Sequence, residues 1–231
     1  MADERTIERQ AYFNHHYRPV LGGCQIWDQE TIKYTRGTST TPIYSTKLNK
    51  HVLLTAGHLY DNKSDIGNQP KYNLTKPNQI GEVSQRKVYG KFDVATIDPN
   101  DHTDLLYRLA CNRGDDCLSY GIRGIVGEDE LRDNSDNSNY YLNLQGRTTG
   151  SSRGNIAFLE DDTFGAGNDV TRIWINVDSD GGDSGGPHFK LVDEFNGIGA
   201  YIAGVHGWGA GTDAVTTSLF SVLEHLDVTW T

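Results

Sequence analysis

Apolar residues along this chain come in short runs bounded by turn residues, and few stretches keep the three-to-four spacing of a long amphipathic helix. The run His51-Val52-Leu53-Leu54-Thr55-Ala56-Gly57-His58 reads as an apolar strand that ends in a small-residue turn. Lys91-Phe92-Asp93-Val94-Ala95-Thr96-Ile97 reads as a second strand, with one carboxylate bracketed by apolar neighbours. With 26 glycines in 231 residues, this patterning predicts an all-β chain with many turns, built as one large domain or two closely packed subdomains. Residues 1–18 differ: they are polar and helix-compatible and predict an appended N-terminal helix. Asp133 to Asn139 and Glu160 to Asp169 read as exposed loops, and no repeat of solenoid period is present.

Charge narrows the function classes. A formal net charge of -10 and a pI near 5.2, with no basic patch, argue against nucleic-acid binding, because a phosphate backbone selects clustered Lys and Arg. No run of about 18 apolar residues is present, so no membrane-spanning helix is expected. The N-terminus lacks the apolar core, about 7 to 15 residues long, of a secretory signal. Three cysteines permit at most one intrachain disulfide, and Cys111 and Cys117 are close enough in sequence to close a small loop in an oxidising compartment or to remain free thiols. The Cys and His spacings match no zinc site and the Asp-rich loops lack the EF-hand pattern, so neither metal nor cofactor is expected.

Candidate chemistry centres on Gly181-Gly182-Asp183-Ser184-Gly185-Gly186-Pro187. A serine among glycines has uncovered backbone amides around it, and the N–H groups of Gly182 and Ser184 are suited to converge on one substrate oxygen as an oxyanion hole. A serine hydroxyl is a poor nucleophile near neutral pH and needs an imidazole base oriented by a carboxylate. His58, delivered by the first apolar strand, and Asp93, whose apolar bracket calls for a partner, fit those roles. His15, His16, His51, His102 and His225 lie in polar or helical surroundings and read as surface groups, while His188 follows the serine motif on an expected strand. Asp98, Asp101 and Asp104 read as turn aspartates.

The order His58, Asp93, Ser184, with TAGH, FDVA and GDSGGP around them, resembles the chymotrypsin-like serine proteases. Gly204-Val205-His206-Gly207-Trp208-Gly209 is similar to the segment forming one wall of that family's specificity pocket, with Gly207 in place of the usual serine. Gly146-Arg147-Thr148-Thr149-Gly150 and Thr217-Ser218-Leu219-Phe220-Ser221-Val222-Leu223 resemble segments of the bacterial branch that includes α-lytic protease and the streptogrisins. Together the matches span about residues 19 to 226. The resemblance implies two six-stranded antiparallel β-barrels, one over about 19–115 and one over about 116–219, with the cleft between them and a C-terminal helix over about 218–226. It also implies an extracellular, monomeric enzyme whose partner is a protein or peptide substrate, and it leaves residues 1–18 open as a propeptide remnant.

In that branch an internal arginine supplies the positive charge that a freed N-terminus supplies in trypsin-like enzymes. Arg147 matches it, and an Arg147–Asp183 ion pair holding the oxyanion loop is the expectation. Two family disulfides are absent, since Leu59 and Asp180 stand where many relatives have cysteine. Specificity stays divided. Asp178 and Ser179 match the pocket-floor pair that holds Arg or Lys in trypsin-like enzymes. His206, with the Ser179 hydroxyl, matches glutamate-specific relatives. Mutual neutralisation of Asp178 and His206 would leave a mixed pocket, small or apolar side chains remain a third option, and Ser218 stands where a deep basic pocket needs glycine. The expected function is hydrolysis of peptide bonds through an acyl-enzyme; the alternative is a catalytically silent protease scaffold kept as a binding module.

Overall fold

The computed structural model describes residues 19–28, 36–69, 78–90, 92–113, 116–163, 169–195 and 197–230. Fifteen strands dominate: β1 (Val20–Gly22), β2 (Gln25–Asp28), β3 (Arg36–Ser45), β4 (Lys50–Thr55), β5 (Ile66–Gln69), β6 (Asn78–Tyr89), β7 (Phe92–Pro99), β8 (Leu105–Arg113), β9 (Asp116–Ile125), β10 (Tyr141–Gly146), β11 (Gly150–Thr163), β12 (Asp169–Ser179), β13 (Pro187–Glu194), β14 (Gly197–Ser218) and β15 (Val228–Thr229). Helical structure among the described residues is limited to a 3-10 turn at Gly57–Leu59, a short helix α1 (Glu128–Asp133) and the C-terminal helix α2 (Leu219–His225).

Two closed antiparallel barrels result. In the first, the order β3-β2-β5-β6-β7-β4 returns to β3 through the pairing of Ile43 with Val52, and β15 extends β3 at its edge. The second closes around β14, which doubles back on itself. Its first arm pairs with β13 (Pro187 with Val205), its second arm pairs with β12 (Ile173 with Thr216), and β11 and β10 complete the ring to β13. Counting both arms of β14, each barrel has six strands.

Period-two alternation explains how the barrels are filled and joined. In β4, Leu53 points into the first barrel's core with Ile26, Ile80 and Ile97, whereas Val52 and Leu54 on its other face join a cluster with Phe189, Val205, Leu219 and Val222 of the second half. A strand buried on both faces loses the polar alternation of a half-exposed one, hence the unbroken Val52-Leu53-Leu54 run. β7 behaves likewise, with Phe92 and Val94 in the inter-barrel cluster and Ala95 and Ile97 in the barrel core. The second barrel is filled by Leu142, Leu144, Ile156, Ile173, Ile175, Val177, Ala203 and Ala214. The two strands that carry the candidate base and its carboxylate are thus clamped at the seam between barrels.

Three boundaries differ from the sequence expectation. The division at 115/116 falls inside the β8–β9 hairpin, which pairs Arg108 with Gly121 and belongs to the second barrel's sheet, because β9 runs parallel to β14. Glu160 to Thr163 is strand and not loop: it continues β11 against β12, with the buried Arg172 holding Glu160 at 2.6 Å and also bound to Asp162. Helix α1 was not expected, its single buried side chain, Leu131, being too little to show a period. Helix α2 lies within the expected span, capped by the Ser218 hydroxyl, which accepts the Ser221 N–H. The expected N-terminal helix lies outside the described residues.

Candidate active site

His58 sits where β4 ends. The turn after Ala56 needs a residue without a side chain, since a Cβ on Gly57 would stand 2.8 Å from the Val94 carbonyl oxygen and 3.1 Å from Asp93 Oδ1. That close approach of backbone to β7 brings His58 to Asp93. The Asp93 carboxylate accepts the His58 backbone N–H on Oδ1 at 2.7 Å and contacts the ring Nδ1 through Oδ2. An imidazole that gives Nδ1–H to a carboxylate has its lone pair on Nε2, as a general base requires. The His58 side chain is 40% exposed and Asp93 15%, so the imidazole is open to the cleft and its carboxylate is sheltered.

Ser184 lies in the loop between β12 and β13, and the loop is stitched to both barrels. The Thr38 N–H of β3 donates to the Ser184 carbonyl at 2.7 Å, the Gly185 N–H donates to the His206 carbonyl at 2.7 Å, and the His206 N–H returns to the Gly186 carbonyl at 2.9 Å. Within the loop, the Asp183 N–H donates to Asp180 and the Gly186 N–H to Asp183. Among the described residues, the amides of Gly182 and Ser184 have no acceptor. Gly182 has φ +104, and a Cβ there would lie 2.4 Å from Arg147 Nη1. The Ser184 hydroxyl donates to the Gly207 carbonyl at 3.2 Å rather than to His58.

The expected Arg147–Asp183 ion pair is not formed. Asp183 is fully buried, and its carboxylate is held by four neutral donors: the N–H groups of Thr148 (2.7 Å), Thr149 (3.2 Å) and Asp180 (2.9 Å) and the Thr149 hydroxyl (2.7 Å). Backbone amides already point into this space, so the guanidinium is kept one layer out, beside Gly182 and Thr148, with its Nη1 3.4 Å from Thr148 Oγ1. Burial lowers the Arg147 pKa, Arg36 lowers it further, and the Asp183 charge opposes both. Arg147 therefore acts on Asp183 only through space.

Beside the serine, β14 supplies His206, Gly207, Trp208 and Gly209. His206 is buried and hydrogen-bonded through Nδ1 to Nε2 of the equally buried His188 at 3.2 Å. Burial pushes the His206 pKa down to about 4, against the pull of Asp183, and burial together with His206 drives His188 well below the usual histidine range. Both rings are thus neutral near pH 7. Ser179 is buried and packs close to Gly209, where a Cβ would come within 2.3 Å of its hydroxyl. Asp178 is exposed while the adjacent Ser179 is buried, so the sheltered acidic pocket floor that sequence position suggested is not formed. Trp208 is 54% exposed, edge-on to Trp174.

The structure therefore brings His58 to Asp93, sets Ser184 beside Gly207, and joins Ser179 to Gly209. It leaves Asp178 outside and separates Arg147 from Asp183. His188, Thr148, Thr149 and Asp180 were not singled out as site residues. The position of His188, four residues after Ser184 on a strand, was the one available signal, whereas the three amides around Asp183 have no side-chain signature. Cys24 is buried, which raises its thiol pKa to about 12, and the side chains of Cys111 and Cys117 lie outside the described residues. Among the described residues no group of His, Cys, Asp or Glu is arranged to hold a metal ion, and no helix is long and apolar enough to cross a membrane.

No protein-family model and no curated protein matches the sequence. The fold is nonetheless shared with solved bacterial proteases. Thermobifida fusca protease A is 16% identical, with a TM-score of 0.64 over 91% of this chain and 97% of that one. Nocardiopsis protease is also 16% identical, with a TM-score of 0.64 over 90% and 97%. A glutamic-acid-specific serine protease described as using a histidine triad in substrate binding is 18% identical, with a TM-score of 0.64 over 92% and 100%. The chain thus has the chymotrypsin-like fold.

Proposed function

We propose that this protein is a serine endopeptidase that cleaves peptide bonds through an acyl-enzyme. The observation that carries the reading is the doubly held His58–Asp93 pair at the same inter-barrel seam as a glycine-flanked serine with two unfilled amides next to it. Ser184 Oγ attacks the peptide carbonyl while His58 Nε2 takes its proton, and Asp93 steadies the imidazolium. The amides of Gly182 and Ser184 receive the developing oxyanion. The imidazolium then protonates the leaving amine, and water, activated by the same base, releases the acyl group. In the free protein the Ser184 hydroxyl rests on the Gly207 carbonyl, and the mechanism requires it to leave that carbonyl and give its proton to His58.

We further assign the primary pocket to an acidic side chain. Asp178 is exposed, so no sheltered negative floor receives Arg or Lys, while the neutral His206 offers a ring N–H suited to a carboxylate and the Ser179 hydroxyl, which in the free protein donates to the Asp213 carbonyl at 3.5 Å, can turn to one. The shared fold with a glutamic-acid-specific protease supports this choice. Binding of a carboxylate would also favour protonation of His206, with His188 able to share the charge through their hydrogen bond.

A second reading, a protease scaffold retained for binding, draws on the Ser184–Gly207 hydrogen bond, which takes the hydroxyl away from its base. An organophosphonate fluorophore separates the two, because labelling requires an activated serine. Labelling of the wild type and none of Ser184→Ala supports the enzyme; no labelling of either overturns it. A peptide library varied at the residue before the scissile bond then tests the pocket. Cleavage after Glu is expected, and cleavage after Arg or Lys would overturn the acidic assignment.

A further inference from the structure

The turn that carries His58 is held from behind by a single side chain. Arg86, half-buried on β6, directs its Nε–H at the Gly57 carbonyl at 3.0 Å and at the Tyr60 carbonyl at 2.6 Å. These carbonyls stand at the two ends of the 3-10 turn Gly57–Leu59, with His58 between them. The turn's own closing bond, from the Tyr60 N–H to the Gly57 carbonyl, lies at the long end of the usual range at 3.2 Å. A charged donor shared between both carbonyls is the stronger restraint, since hydrogen bonds from an ionised group are about twice as strong as neutral ones.

Register explains how Arg86 arrives there. It pairs with Ala95 of β7, and Ala95 pairs with Thr55 of β4, so the three residues lie side by side on adjacent strands. Ala95 contributes only a methyl group, and the long Arg86 side chain passes it to reach the turn that follows β4. Asp93, which takes the His58 N–H and faces its ring, lies two residues before Ala95 on β7. The β6–β7 hairpin thus grips the turn from both of its strands, Arg86 on the two flanking carbonyls and Asp93 on the amide and ring of His58. The His58 side chain is 40% exposed, so its position is set by the backbone beneath it and by Asp93 more than by packing.

We infer that Arg86 is a positioning residue for the base: it fixes the pose of the His58 turn against Asp93 and so the alignment of the imidazole with Ser184. The inference rests on the protease reading for its kinetic consequence and goes beyond it, because proton transfer between Ser184 and His58 does not itself involve Arg86. Misplacement of a catalytic group by about 1 Å costs about 10²-fold in rate, so a turn released from Arg86 and still tied to Asp93 is expected to cost about 10- to 30-fold.

The test compares Arg86→Met, which keeps the length of the side chain and removes the donor, with Arg86→Gln, whose Nε2 returns an N–H donor at the same number of bonds from the backbone as the arginine Nε. Two properties are read on each folded protein: the rate at which a phosphonate labels Ser184, and the His58 Nδ1–H signal in the magnetic resonance spectrum of protein carrying isotope-labelled histidine. Labelling should slow about 10- to 30-fold in Arg86→Met and stay within about threefold of wild type in Arg86→Gln. The Nδ1–H signal should broaden or vanish in Arg86→Met alone, a change that a purely structural hydrogen bond elsewhere would not produce. Arg86→Ser, which opens the space to water, replaces Arg86→Met if that variant does not fold, with the same expectation. Arg86→Met labelled within about twofold of wild type, Arg86→Gln as slow as Arg86→Met, or an Nδ1–H signal unchanged in Arg86→Met would each overturn the positioning role. No labelling of the wild type, with the Nδ1–H signal present there and lost in Arg86→Met, would instead overturn the protease reading and leave Arg86 as the support of His58.

Discussion

Asp93 grips His58 at two points, taking the backbone N–H on Oδ1 at 2.7 Å and facing the ring Nδ1 with Oδ2. The first contact fixes where the turn ends, and the second fixes which ring nitrogen is free. In Asp93→Asn the amide can still accept the backbone N–H, but its NH2 then faces the ring and stabilises the tautomer protonated at Nε2. The expected outcome is a folded protein whose kcat falls by about 10⁴. Turnover of an activated ester, read beside circular dichroism, checks it; a loss below about tenfold would remove Asp93 from the mechanism.

Gly182 carries one of the two unfilled amides and has φ +104. Gly182→Ala places a Cβ 2.4 Å from Arg147 Nη1 and 2.6 Å from Thr148 Oγ1, in a backbone region that L-residues avoid. The Arg147 and Thr148 side-chain tips can swing aside, but the φ strain is relieved only by turning the peptide, which carries the amide with it. A fall of about 10²- to 10³-fold in kcat is expected. Gly197→Ala is the control: φ there is +109 and the space is open, so it carries the strain without the clash and should lower the melting temperature while sparing turnover.

Four neutral donors around Asp183 make Arg147 dispensable for holding the carboxylate. Arg147→Gln is expected to keep more than about one-third of wild-type kcat/KM. Thr149→Val removes a 2.7 Å hydroxyl bond to a buried charge and should destabilise by about 1.5–3 kcal/mol, with a larger activity loss than Arg147→Gln. Paired denaturation and kinetic measurements decide; the opposite ranking would restore the arginine as the principal counter-charge.

His188 and His206 are neutral in the fold and ionise near pH 6.5 in the unfolded chain, with His206 lowered to about 4. Between about pH 6.5 and 4 the unfolded state therefore binds more protons, and stability falls as pH is lowered through that window and is fully present above it. Each histidine contributes a slope of up to about 1.4 kcal/mol per pH unit. Urea denaturation from pH 7.5 to 4.5 should show a decline that His188→Gln makes shallower. An unchanged slope would mean that the pair is already charged in the native state.

The strands that carry the site could be read directly from local pattern. Val52-Leu53-Leu54 and Phe92 to Ile97 are apolar on both faces because both faces are covered, and the serine is marked by its glycines. Less was legible where a contact depends on backbone. Nothing in Thr148, Thr149 or Asp180 marks their N–H groups as ligands of Asp183, and the charge of Arg147 suggested a partner that amides had already filled. The place of the β8–β9 hairpin was illegible for a related reason: β8 and β9 pair with each other locally, but which sheet they join depends on the parallel contact between β9 and β14.

Sequence alone thus determined the all-β class, the order of His58, Asp93 and Ser184 along the chain, and the glycines around the serine, since each follows from local period or from the chemistry of single residues. Only the tertiary structure decided that Asp178 is exposed and Ser179 buried, and only it joined His188 to His206 and lined up Phe158, Trp174 and Trp208. The physical reason is that side-chain direction and partnership across strands are set by register and by how the two barrels close, and these depend on contacts between residues far apart in the chain.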